Sequence, residues 1–132
     1  MTLRCLLVDD SPDVLRAARD LLERQGVAVV GVAASGQEAV SLTHELAPDV
    51  VLVDIDLGPE SGFELARRLA PSPNRPGPPT ILISTHDEAD FADLIAASPA
   101  IGFMAKADLS ATEIRRLMGL GAGDATARRE RR

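Results

Sequence analysis

What most constrains this chain is a rhythm. Five short apolar runs, at residues 3–9, 27–33, 49–54, 79–84 and 101–105, are each followed by a stretch of helical periodicity. The runs are rich in Leu, Val and Ile and lack polar alternation, as strands covered on both faces do. Strands of that kind alternating with helices predict an open parallel sheet with a helical layer on each side. Right-handed crossovers then leave few ways to wind it.

The intervening segments carry their own punctuation. Ser11-Pro12-Asp13 offers an N-cap, a proline at the first helical position and an acid in the first turn. Val14, Leu15, Ala18, Leu21 and Leu22 follow at helical spacing, and Gly26 supplies a stop. Ser35 with Glu38, and Ser110 with Glu113, have the spacing of capping boxes. Phe63, Leu65, Ala66 and Leu69 mark a third helix, ended by the run PSPNRPGPP, and Phe91, Leu94 and Ile95 mark a fourth. Five strand–helix units predict an α/β fold of flavodoxin-like (βα)5 type, a doubly wound parallel sheet of strand order 2-1-3-4-5. Residues 1–118 are expected to form this one domain, and residues 119–132 a flexible basic tail.

Composition narrows the function. The 132 residues suit one domain, and 45% hydrophobic with 2% aromatic residues implies an aliphatic core. A net charge of −6 argues against contact with a nucleic-acid backbone, despite the basic ARRERR ending. The single cysteine, Cys5, has no disulfide or metal-ligand companion and falls in an apolar run, where it reads as a small buried hydrophobe. No apolar run approaches the length of a membrane span, and acids follow the first residues too closely for a secretory leader. A cytoplasmic setting is the expectation.

Polar residues gather at strand ends. Asp9 and Asp10 follow the first strand, Asp54 ends the third, Ser84 ends the fourth and Lys106 follows the fifth. Singly, each reads as a turn former or a cap. Together they form a chemically coherent group, because the order 2-1-3-4-5 brings these ends to one edge, beside the switch point where such sheets bind ligands. Carboxylates about 4 Å apart repel by about 4 kcal/mol at an effective dielectric of about 20. Three of them need a cation or a proton. Lys106 supplies one charge, and an all-oxygen site with several waters suits Mg²⁺. Acids, Mg²⁺, an ammonium and a hydroxyl suit phosphoryl chemistry. Asp54 is then the candidate acceptor, Asp9 and Asp10 the metal holders, and Ser84 and Lys106 partners for phosphoryl oxygens. Lys106 is also the chain's only lysine beside thirteen arginines, which poses a choice between codon bias and a position that needs a compact ammonium.

At these residues the sequence resembles the receiver domain of bacterial two-component response regulators, over residues 3–118. The motifs LLVDDSP, DVVLVDIDLGPESGFEL, ILIST and GFMAK carry the resemblance, in order. It implies that Asp54 is the phosphoacceptor, that Asp9, Asp10 and Asp54 bind Mg²⁺ with the backbone carbonyl of Asp56, and that Ser84 and Lys106 are the switch hydroxyl and the site lysine. It further implies that Phe103 is the switch aromatic, which is equally a core phenylalanine. The implied donor is the phosphohistidine of a sensor histidine kinase. The implied output runs through the face made by the fourth helix, fifth strand and fifth helix, to a second copy, an output domain or a partner protein. Slow autodephosphorylation would be tuned at Asp56, Thr85 and His86, although Asp56 reads equally as an exposed loop acid.

Some positions depart from the family pattern. Ala107 replaces a proline after the lysine, Gly58-Pro59 displaces a proline by one position, Thr85 replaces a smaller residue, and Pro99 is expected to shorten the fourth helix. Two rival readings stand beside this one. The DxD spacing of Asp54 and Asp56 is that of a haloacid-dehalogenase-like phosphatase, which places it after its first strand. A degenerate receiver would act only as an interaction module. The KADLSATEIRRL ending resembles receivers that precede a LuxR-like DNA-binding domain, so a stand-alone receiver and a piece of a longer regulator are both open.

Overall fold

The computed structural model describes residues 2–120. Five parallel strands form the main sheet: β1 (Arg4–Val8), β2 (Ala28–Ala33), β3 (Val50–Asp54), β4 (Thr80–Ser84) and β5 (Gly102–Ala105). Their spatial order is β2-β1-β3-β4-β5. Each lies within one residue of its expected bounds, and the order is the expected one.

Five α-helices connect and cover the strands: α1 (Pro12–Arg24), α2 (Gly36–Leu46), α3 (Gly62–Leu69), α4 (Ala92–Ala97) and α5 (Ala111–Leu117). Side-chain alternation along the strands divides the core into two layers. Cys5, Leu7, Leu52, Ile81 and Ile83 pack with Ala18 and Leu22 of α1 and Ile114 of α5. Leu6, Val8, Val51, Val53 and Leu82 pack with Ala39 of α2 and Phe63, Leu65 and Leu69 of α3. β3 is buried along its whole length, as a central strand covered on both faces must be.

The caps explain the helix boundaries. Ser11, Ser35 and Ser110 each accept a hydrogen bond from the backbone N–H three residues on. Among the described residues neither capping-box spacing returns a bond to its own N-cap N–H. Glu38 reaches back to the N–H of Ala34, whereas the Glu113 carboxylate pairs instead with Arg116. Gly26 follows α1 with φ +89°, the left-handed conformation that ends helices. At the other end of α2, the Arg4 guanidinium donates to the carbonyls of Leu46 and Ala47, where a cation meets the negative end of the helix.

α4 is six residues long and stops before Ser98, one residue ahead of Pro99, as that proline leads one to expect. A 3-10 turn at Glu88–Phe91 precedes it. Among the described residues no helix is long and apolar enough to cross a membrane. The expected basic tail lies outside the described residues from residue 121 onward.

Candidate functional site

The site is built at the C-terminal ends of β1, β3, β4 and β5. Parallel register sets Val8 beside Val53, Asp54 beside Ile83, and Ser84 beside Ala105. Asp9 and Lys106 each come one residue after a strand, so Asp9, Asp54, Ser84 and Lys106 end at nearly one level. Asp9 is held there twice, its N–H donating to the carbonyl of Ala33 and its Oδ1 accepting from the N–H of Ser11.

Lys106 joins the strands electrostatically. Its Nζ donates to Asp54 Oδ2 at 3.2 Å and stands 2.7 Å from Asp9 Oδ2. Both approaches are close contacts between opposite charges. Asp9 Oδ2 is buried and paired with the Lys106 ammonium. Asp54 Oδ1 accepts from the N–H of Asp56 at 3.2 Å. Asp10 is exposed.

Burial and charge act in opposite directions here. Burial raises the Asp54 carboxyl above its ordinary value and the nearby Asp9 charge raises it further. The Asp56 N–H and the Lys106 ammonium pull it down without cancelling the rise. Burial alone would lower the Lys106 ammonium, but its contacts with Asp9 and Asp54 together outweigh that and hold it above its ordinary value.

Carboxylate oxygens of Asp9, Asp10 and Asp54 all lie within 4.8 Å of one another. One ammonium faces three acids, two of them buried, and the donors are all hard oxygens. That set fits a small divalent cation such as Mg²⁺, with exposed Asp10 leaving room for water. Gly58 assists the fit: its φ of +65° suits glycine, and a Cβ there would come within 3.2 Å of Asp10 Oδ2.

Ser84 is buried and its Oγ accepts from the N–H of His86 at 2.9 Å. Its own hydrogen remains available to donate. Phe103, paired in register with Leu82, is buried in the same layer as Leu82 and Phe63. Thr85 and His86 are exposed, and the His86 ring meets Phe91 edge-on at 5.7 Å. Asp56 is exposed and its side chain lies outside the acidic group, which includes Asp9, Asp10 and Asp54. The structure thus brings together Asp9, Asp10, Asp54 and Lys106, and sets Ser84 on the strand between Asp54 and Lys106.

Sequence reasoning missed the loop after Asp54. Asp56–Leu57 pairs with Glu60–Ser61 as a small antiparallel hairpin. Its Ser61 caps α3 by accepting from the N–H of Phe63, and the N–H of Gly62 returns to the carbonyl of Ile55. Glu60 reaches 24 positions back to the N–H of Gly36. The Ser61-Gly62 pair is a local signal for the cap; the Glu60 contact has no local signal.

Comparison with known proteins bears on this geometry. The response regulator receiver domain family matches residues 5–117. A protein-glutamate methylesterase/protein-glutamine glutaminase of Methanospirillum hungatei is 36% identical over 89 residues, covering 67% of this chain and 25% of that protein. The response regulator GacA of Pseudomonas viridiflava is 35% identical over 106 residues, covering 79% of this chain and 48% of GacA. The chain therefore spans half or less of the length of these curated relatives. A LuxR-family two-component response regulator from Aurantimonas superposes with a TM-score of 0.77 at 31% identity, over 92% of this chain and 89% of that one. The matches support the receiver reading and lend nothing to the phosphatase alternative, whose second acid, Asp56, is the one left outside the cluster.

Proposed function

The chain belongs to the response regulator receiver domain family, and on that premise we propose that it accepts a phosphoryl group on Asp54 and changes conformation in response. One observation carries the reading: the Lys106 ammonium lies 2.7 Å from Asp9 and 3.2 Å from Asp54, both buried at the strand ends.

The chemistry follows from the groups present. An Asp54 carboxylate oxygen attacks the phosphorus of a phosphohistidine on a sensor kinase. The P–O bond forms as the P–N bond breaks, and the imidazole leaves with the proton it already carries or takes one from water. Asp9, Asp10 and the carbonyl of Asp56 would hold a Mg²⁺, which supplies positive charge to offset the acids and the incoming oxygens. Lys106, already within reach of Asp54 Oδ2, moves its ammonium to a phosphoryl oxygen. The raised Asp54 carboxyl must be ionised to act as nucleophile, and the neighbouring cations favour that form.

The switch uses the hydroxyl of Ser84. Its hydrogen, which the bond from the His86 N–H leaves free, can be donated to a phosphoryl oxygen on Asp54. Phe103 lies in the same layer and reports the rearrangement to the surface formed by α4, β5 and α5, where Leu94 and Ile101 are the exposed large hydrophobic side chains. That surface is where an output domain, a second copy or a partner protein would engage. Asp56, Thr85 and His86 border the site and would set the lifetime of the acyl phosphate. The net charge of −6 gives no reason for direct nucleic-acid contact by this domain.

Incubation with acetyl phosphate and Mg²⁺, followed by intact mass measurement, tests the reading. A single phosphoryl adduct is expected, labile to hydroxylamine and missing from Asp54→Asn. An adduct that persists in Asp54→Asn, or no adduct at all, overturns it.

A further inference from the structure

The loop that follows Asp54 is tied to a helix from another part of the chain. The Glu60 carboxylate accepts from the N–H of Gly36 through both oxygens, at 3.1 and 3.2 Å. Gly36 is the first residue of α2, where backbone N–H groups lack helical partners and the helix is most positive. Ser35 already caps the N–H of Glu38. Glu60 therefore serves a second donor that the local cap leaves free.

The contact is built into both segments of the chain. Gly36 is buried, and a Cβ on it would overlap Glu60 Oε1 and come within 3.3 Å of Arg68 Nη1. Glycine at 36 thus makes room for the carboxylate of a residue 24 positions later. The Arg68 guanidinium, from α3, approaches the same point and adds positive potential beside the acid. No ion pair of Arg68 is formed among the described residues, so the backbone N–H carries the contact.

What Glu60 holds is the hairpin that bears Asp56. Leu57 pairs with Glu60 and Asp56 with Ser61. Leu57 is buried, the N–H of Asp56 donates to Asp54 Oδ1, and Gly58 lies against Asp10. A tether on Glu60 consequently restrains the backbone whose N–H touches the acceptor carboxylate and whose carbonyl would face the cation. We propose that Glu60 is a positioning residue: latched to the start of α2, it fixes the loop that carries Asp56 and so sets divalent-cation affinity at a site it does not touch. The inference rests on the receiver reading above.

The latch makes α2 part of the response. A loop displaced by phosphorylation would pull on the Gly36 N–H, and a loosened α2 start would weaken the site in return, as linkage requires.

The test compares the parent with Glu60→Ala, Glu60→Gln and Gly36→Ala, all verified as folded by circular dichroism. Affinity for Mg²⁺ alone is measured by NMR titration, amide exchange is followed at Gly36 and Asp56, and phosphorylation by acetyl phosphate is followed against Mg²⁺ concentration. Glu60→Ala should bind Mg²⁺ roughly ten-fold more weakly, with Gly36 and Asp56 exchanging faster in the metal-free protein. Its phosphorylation rate should recover at saturating Mg²⁺, so the defect lies in the Mg²⁺ dependence and not the limiting rate. Gly36→Ala should reproduce the defect by displacing the carboxylate, and Glu60→Gln should restore part of it through its amide oxygen. Parent-like Mg²⁺ affinity in both Glu60→Ala and Gly36→Ala, with the parent phosphorylated normally, overturns this inference alone. A parent that takes up no phosphoryl group overturns the receiver reading and this inference with it.

Discussion

Lys106 Nζ stands closer to Asp9 Oδ2, at 2.7 Å, than to Asp54 Oδ2, at 3.2 Å. The ammonium at the end of β5 thus spans β4 and β3 to meet an acid that follows β1. Strands lie about 4.8 Å apart, so only a long side chain can make that reach. A tetrahedral ammonium can also turn between two carboxylates and a third oxygen, whereas a guanidinium presents its donors in one plane. The single lysine among thirteen arginines has a physical reason in this geometry.

Lys106→Arg should therefore keep the charge and lose the fit. The longer, planar group cannot sit between Asp9 and Asp54 without displacing one of them. Phosphorylation by acetyl phosphate, followed by intact mass, should slow by roughly ten-fold or more, a loss of about 1.4 kcal/mol in the transition state. The spectral shift of Phe103 on phosphorylation, read by NMR, should shrink. Parent-like rates and shifts would return the lysine to codon bias.

Asp54→Asn should stabilise the metal-free protein at neutral pH. The Asp54 carboxyl is raised from 3.8, chiefly by burial, so the folded protein binds that proton more tightly than the unfolded chain does. Its contribution to stability is whole below the unfolded value and is lost as pH climbs through the raised folded value. At pH 7 the native state thus holds a costly buried anion, which asparagine removes. Urea denaturation without metal should show a gain on the order of 1 kcal/mol, fading as pH falls toward 4. A constant difference across that range would mean the carboxyl is not the source.

Much of this was legible in the sequence, and the reason is local. The strands announce themselves because both faces are buried, and the helices because Ser11, Ser35, Ser110 and Gly26 punctuate them. The residues Asp9, Asp10, Asp54 and Lys106 were legible because a parallel sheet places strand ends together whatever the loops do. The Asp54 loop was not. Its hairpin is two pairs long, below the length at which alternation can be read, and Glu60 and Arg4 act on backbone groups more than twenty positions away. Arg4 caps α2 and Glu60 bonds its first N–H, yet each looks like an ordinary surface charge in the chain. The Ser110–Glu113 spacing shows the converse, a local pattern whose acid found a better partner in Arg116.

Mg²⁺ should stabilise the parent and do so less in Asp10→Asn. The cation relieves the repulsion among three acids served by one ammonium, and it binds only the folded arrangement. At a Mg²⁺ concentration near one hundred times the dissociation constant, the gain is about 2.7 kcal/mol. Asp10 is exposed, so asparagine there should leave metal-free stability nearly unchanged while cutting the Mg²⁺-dependent rise in Tm. An equal rise in both proteins would place the cation elsewhere.

Cys5 should be inert to alkylation until the whole domain opens. Burial in β1 leaves it with no exposed surface and pushes its thiol up to about 12. The reactive thiolate is therefore nearly absent at pH 8, and reagent cannot reach the sulfur. Labelling by iodoacetamide should track global unfolding measured by circular dichroism along a urea series. Labelling ahead of that transition would show that β1 opens locally.

Gly62→Ala separates the loop from the acids it carries. A Cβ at this position would overlap the Asp54 carbonyl oxygen and come within 2.6 Å of Ile55 Cα and 2.8 Å of the Asp54 carbonyl carbon. These are backbone atoms of the segment that holds the acceptor, so no rotamer change can relieve the clash. Either the start of α3 moves away, breaking the bond from the Gly62 N–H to the Ile55 carbonyl, or the Asp54 backbone shifts toward β1. Both routes cost stability, by about 1–3 kcal/mol in urea denaturation. They differ at the site. If α3 yields, Asp54 stays beside Lys106 and phosphorylation at saturating Mg²⁺ survives in the fraction that is folded. If Asp54 moves, the Lys106 contact is lost and the limiting rate falls with it. The buried β3, hydrogen-bonded to a strand on each side, resists displacement more than the first turn of an eight-residue helix does, so the first outcome is expected: reduced stability with the limiting rate within about three-fold of the parent. A collapse of the limiting rate at full folding would show that the acceptor strand, not the helix, is the softer element.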